Sequence, residues 1–139
     1  MPEKILENLS INTIIGAGTR IDGDVVSPGF TRIDGALKGD LTVQGRVVIG
    51  ENARLRSNVS GTAVTVGGVV LGDILAHDRV IVLSSAVVLG TIITCRIQID
   101  EGSIIHGRVI TCATREEWER RCAEQRDARS INAPIFRRT

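Results

Sequence analysis

Six short units of one pattern, each an aliphatic residue, a spacer, a small or polar residue, a second spacer and another aliphatic, run through the chain. They are IDGDV (Ile21 to Val25), LKGDL (Leu37 to Leu41), LRSNV (Leu55 to Val59), VLGDI (Val70 to Ile74), VLGTI (Val88 to Ile92) and IHGRV (Ile105 to Val109), at steps of 16, 18, 15, 18 and 17 residues. A period of this length marks a stacked repeat, because one such unit is too small to bury its apolar side chains alone and does so against its neighbours.

Short alternating apolar runs precede the units: VVIG from Val47, VTVG from Val64, VIVL from Val80 and IQID from Ile97. Alternation with period two, rich in Val, Ile and Thr, is a strand signal. No proline occurs between Phe30 and Ala133 to remove a ladder donor. The repeat therefore describes a parallel β-helix of about six turns, each holding two or three short strands. Equivalent aliphatics form ladders in its interior. Ile21, Leu37, Leu55, Val70, Val88 and Ile105 make one; Val25, Leu41, Val59, Ile74, Ile92 and Val109 make another. Each is worth about 1.5–3 kcal/mol when fully buried, and glycines take the corners. A left-handed hexapeptide helix keeps a strict six-residue period. Steps of 15, 16 and 17 depart from it and favour the right-handed form.

All fifteen glycines fall at or before Gly107, whereas residues 115–139 carry seven Arg against five acids. The chain thus divides into an N-terminal tail (residues 1–11), a β-helix domain (12–113) and a charged C-terminal tail (114–139). Thr114 with Glu117 makes a capping box, and TREEWERRCAEQRDAR reads as a helix of about 14 residues. Trp118 and Cys122, four apart, share one face of it. The segment either folds over the last turn as a cap or stands as a solvated tail.

With one Trp, two Phe, no Tyr and a net charge of +1, the chain lacks both the stacking platforms and the electrostatic footprint of a nucleic-acid binder. No signal peptide or run of 18 apolar residues is visible, and the expected location is the cytoplasm, including the inner face of the membrane. Three cysteines, an odd number, read as reduced structural thiols.

Cys95, Cys112, Cys122 and His106 are the residues from which a zinc site could be drawn, but their spacing fits no CxxC pattern. Cys95 and Cys112 end equivalent ITC strings, so the repeat stacks them about 4.8 Å apart. The competing function is a left-handed β-helix enzyme, a hexapeptide acyltransferase or a related carbonic anhydrase. Only His77 and His106 are available to it, 29 residues apart. The acids Asp22, Asp24, Asp34, Asp40, Asp73 and Asp100 mostly sit beside glycine, where Asp stabilises turns through its own side chain. No catalytic, metal or cofactor residue is assigned.

TIIGAGTRIDGDV (Thr13 to Val25), TRIDGALKGDL (Thr31 to Leu41), RVVIGENARLRSNV (Arg46 to Val59), VVLGDILAHDRVIV (Val69 to Val82) and IQIDEGSIIHGRV (Ile97 to Val109) resemble successive turns of a bactofilin, the bacterial polymer-forming cytoskeletal family. The resemblance implies a right-handed β-helix that assembles end to end, without nucleotide, into non-polar filaments in the cytoplasm. The partners it implies are the protein itself and cell-wall or envelope proteins. Family members often dock on the membrane through an apolar N-terminal peptide, for which MPEKILENLSI offers Ile5, Leu6, Leu9 and Ile11. A β-helix stops with an open strand edge and uncovered aliphatics, a surface that must be capped or used. The expected polymerisation surfaces are Ile15, Ile21 and Val25 in the first turn and Ile99, Ile105 and Val109 in the last.

Overall fold

The computed structural model describes residues 11–138, with side chains described over residues 13–126; residues 1–10, including Ile5, Leu6 and Leu9, lie outside it. In chain order the strands are β1 (Ile11–Ile15), β2 (Arg20–Asp22), β3 (Val25–Ser27), β4 (Phe30–Ile33), β5 (Ala36–Lys38), β6 (Leu41–Val43), β7 (Arg46–Ile49) and β8 (Arg54–Arg56). They continue as β9 (Val59–Val66), β10 (Val69–Leu71), β11 (Ile74–Val82), β12 (Val87–Leu89), β13 (Ile92–Thr94), β14 (Ile97–Ile99), β15 (Ile104–His106) and β16 (Val109–Thr111), followed by helix α1 (Arg115–Arg138).

Every strand pair is parallel, and each strand pairs with its equivalents one turn away, so the chain winds as a β-helix of about six turns. Each turn has three faces. On the first lie β1, β4, β7, the second halves of β9 and β11, and β14. The second holds β2, β5, β8, β10, β12 and β15. On the third are β3, β6, the first halves of β9 and β11, β13 and β16. The two long strands bend across the corner between third and first faces, which joins those faces into one ten-stranded sheet.

The two expected ladders are the observed registers. Leu37 stands over Leu55 and Val70 over Val88 on the second face, and Leu41 over Val59 and Ile74 over Ile92 on the third. A third inward column, Thr31, Val47, Val64, Val80 and Ile97, comes from the alternating runs on the first face. The middle turns bury these side chains completely, and the core is one continuous cluster from Ile15 to Ile92. Shape matters within it, since each aliphatic touches its like above and below.

The acids beside the corner do more than close their own turn. Asp24 Oδ1 accepts the Asp40 backbone N–H at 2.9 Å, Asn58 Oδ1 that of Asp73 at 3.1 Å, and Asp73 Oδ1 that of Thr91 at 3.1 Å. Each such side chain thereby ties its turn to the next.

Glycine is required where the second face meets the third. Gly90 has φ of 151°, and a Cβ there would run into the carbonyl oxygen of Gly72, the same corner one turn earlier. Gly23 holds the same corner in the first turn at φ 137°, yet a Cβ on it meets nothing within 4 Å. Gly90→Ala is therefore expected to destabilise the protein by clearly more than Gly23→Ala, whose cost is backbone strain alone, on the order of 1–3 kcal/mol. Urea unfolding of the two variants, followed by circular dichroism, measures the difference, and equal losses would mean that stacking at this corner is not tight.

Candidate functional site

The two ends of the β-helix are built from the same columns as the core but have no turn beyond them. At the C-terminal end Ile99 is 49% and Val109 40% exposed, and Ile105 is half-buried. At the other end Ile21 and Val25 are half-buried against the core, while Ile15 is already buried. The six expected end-turn residues thus lie where the columns finish, but they are not equivalent: the C-terminal end presents the more open aliphatic surface. Each end also carries strand edges, β1, β2 and β3 on one side and β14, β15 and β16 on the other, whose outer backbone groups face no further strand of the described residues.

Helix α1 starts with the anticipated cap. The Glu117 N–H donates to Thr114 Oγ1 at 3.2 Å, and Glu117 Oε2 accepts the Ala113 N–H at 3.0 Å, one residue earlier than a capping box usually reaches. Trp118 and Cys122 do share one side of this helix, but that side meets the flank of the β-helix and not its end. Trp118 Nε1 donates to the Ile93 carbonyl at 3.0 Å, its ring stands edge-on to His77 at 5.9 Å between centroids, and Cys122 is buried with Leu75, Ile93 and Cys112. One helical turn beyond Cys122, Gln125 Nε2 donates to Asp73 Oδ2 at 3.1 Å. The helix therefore runs back from the last turn over the third face, and the C-terminal end stays open.

The cause is an outward stripe. On the third face the outward register passes from Thr42 and Ser60 to Leu75, Ile93 and Ile110. Three apolar side chains on the outside of adjacent strands need a cover, and a helix leaving β16 on that same face supplies it directly. Leu75, Ile93 and Ile110 were not singled out from the sequence. The signal was the doubling of apolar residues at Ile74-Leu75, Ile92-Ile93 and Val109-Ile110, which alternation with period two does not explain.

Cys112 and Cys122 are buried in this seam and Cys95 is half-buried beside it, all three as free thiols. Burial first, then the Glu117 carboxylate, holds the Cys112 thiol above its usual range. Burial likewise pushes Cys122 up to about 11. These are protonated, unreactive thiols at neutral pH. Among the described residues no three His, Cys, Asp or Glu side chains are grouped to hold a metal ion. His77 sits at the corner within β11 and His106 on the outside of the second face, so the fold does not bring them together.

Because the folded protein keeps Cys122 protonated to about 11 while an unfolded thiol ionises near ~8.5, this group contributes stability that is complete below about pH 8.5 and lost as pH rises toward 11. The melting temperature is expected to fall across that window, and Cys122→Ser, lacking the ionisation, to fall less. In native protein at pH 8 an aromatic disulfide reagent is expected to titrate Cys95 quickly and Cys112 and Cys122 only slowly. Three equally fast thiols would contradict a docked helix.

Comparison with known proteins bears on the stacked domain. The family model for bactofilins, described as polymer-forming cytoskeletal, matches residues 13–110. The chain is similar to bactofilin BacO of Myxococcus xanthus (strain DK1622), 29% identical over 101 residues, covering 73% of this chain and 80% of that protein. It is also similar to bactofilin BacP of the same organism, 28% identical over 98 residues, 70% of this chain and 41% of BacP, so it spans less than half of that relative. No solved structure matches significantly.

Proposed function

Since the chain belongs to the bactofilin family of polymer-forming cytoskeletal proteins, we propose that it is a non-catalytic scaffold whose β-helices join end to end, without nucleotide, into non-polar filaments. The observation that carries this reading is the open C-terminal end: the columns of Ile99, Ile105 and Val109 stop in solvent beside unpaired strand edges, and α1 leaves them uncovered. A second copy seated there covers the aliphatic columns and pairs with the open strand edges, antiparallel across a contact between like ends where the turns within one chain pair parallel. Because the two ends differ, a non-polar filament pairs C-terminal end with C-terminal end and N-terminal end with N-terminal end, each through a two-fold contact. The filaments act in the cytoplasm at the inner side of the cell envelope, where they position envelope or cell-wall proteins.

Ile99→Lys places a charge on the C-terminal end at a side chain that is itself half exposed. Wild-type protein is expected to form filaments in electron micrographs without nucleotide. The variant is expected to stop at dimers, twice the 14.9 kDa chain mass by light scattering, because its N-terminal ends still pair. Monomers would point to head-to-tail assembly, and filaments as long as those of the wild type would remove this end from the contact.

A further inference from the structure

We propose that Cys95 and Cys112 are an oxidant-sensitive thiol pair, which a peroxide converts to a disulfide that closes the last turn of the β-helix into a ring. The two residues directly follow β13 and β16, strands that pair in register through Thr94 and Thr111. The ladder runs one step further, since the Cys112 N–H donates to the Thr94 carbonyl at 2.9 Å. Cys95 and Cys112 are therefore neighbours at strand spacing, about 4.8 Å, within the roughly 4.4–6.8 Å between Cα atoms that a disulfide spans. Their side chains leave the ladder on the same side: Cys112 is buried in the seam under α1, and Cys95 packs against the same cluster.

The third thiol does not compete for the first step. Cys122, on α1, is buried, and its thiol is influenced more by Cys112 than by Cys95. Of the three, Cys95 is the one that reaches solvent, at the base of the helix, where its Sγ lies 3.9 Å from the carbonyl of Thr114. An oxidant from solution thus meets Cys95 first.

The Cys95 sulfur attacks the O–O bond of hydrogen peroxide, giving a sulfenic acid and one water. The Cys112 sulfur then attacks the sulfenic sulfur; the S–S bond forms as the S–O bond breaks, and the hydroxyl leaves with the Cys112 proton as a second water. Two thiols lose two electrons and two hydrogens, and the peroxide is reduced to water. Cys112 is protonated and shielded from reagents in solution, but a sulfenic acid held beside it in the ladder is supplied at far higher effective concentration.

The position of the bond gives it a consequence. Residues 96–111, between the two cysteines, are the whole of β14, β15 and β16, the turn that carries Ile99, Ile105 and Val109 and has no further turn stacked on it among the described residues. Closing this loop, 17 residues from Cys95 to Cys112, restricts the freedom of the end turn to fray from the stack.

Hydrogen peroxide on the full chain, followed by alkylation, non-reducing tryptic digestion and mass spectrometry, reads the product. Cleavage after Arg96, Arg108, Arg115 and Arg121 leaves the three cysteines on different peptides. The expected product is a Cys95–Cys112 disulfide, lighter than the reduced chain by two hydrogens and reversed by dithiothreitol. Cys112→Ser is expected to stop at a Cys95 sulfenic acid that dimedone traps, Cys95→Ser to leave Cys112 and Cys122 reduced, and Cys122→Ser to form the disulfide as wild type does. In Ile99→Lys, at a concentration where light scattering shows no filaments, the oxidised protein is expected to exchange the amides of β14, β15 and β16 on the order of 100-fold more slowly than the reduced one. A disulfide to Cys122, a link between two chains, or Cys95 oxidised to sulfinic acid with Cys112 still a thiol overturns the pair, and unchanged exchange overturns the ring. Both readouts lie within one chain, so their failure is distinct from a failure of assembly.

Discussion

Everything in this molecule rests on the stacking of one turn upon the next in register. A single turn of 15 to 18 residues has no inside. Its aliphatics become buried, and its backbone donors and acceptors paired, only when a like turn lies about 4.8 Å above and another below. The same condition explains Gly90, whose corner lies so close to Gly72 that no side chain fits, and the Asp and Asn residues whose carbonyl-type oxygens receive an N–H from the following turn.

A structure of this kind satisfies every turn except the two at its ends. Globular proteins remove that exposure with a helix or loop laid across it. Here the available helix is spent on a different surface. Leu75, Ile93 and Ile110 draw α1 onto the flank, Trp118 and Gln125 fix it there by hydrogen bonds, and the last turn keeps Ile99 and Val109 in contact with water. The proposed polymerisation is then less an added device than what remains when the repeat is left uncapped and the sides are covered. Side and end are thus distinct: the flank fixes the helix, and the ends keep the surface on which a further turn would have stacked.

The interior was legible in the sequence because inward positions follow a rule that outward ones do not. Ile21 through Ile105 and Val25 through Val109 recur at the period of a turn, and the structure stacks them in those registers. Two features escaped that reading. Apolar doublets such as Ile92-Ile93 and triplets such as Val87-Val88-Leu89 have no phase under a period of two, so which residue faces out is decided by the register of neighbouring turns. The position of the helix escaped for a related reason. Trp118 and Cys122 gave its sticky side, but the surface that receives it is assembled from residues 17 and 18 apart, Leu75, Ile93 and Ile110, and exists only once the turns are stacked.

The central claim is that subunits join by continuing the stack, and fibre diffraction or helical reconstruction of assembled protein measures this directly. The account predicts a meridional spacing near 4.8 Å that runs unbroken along the filament, with an axial advance of about 29 Å per subunit from six turns. Uniform single particles, or filaments whose strands lie at some other angle to the axis, would contradict it.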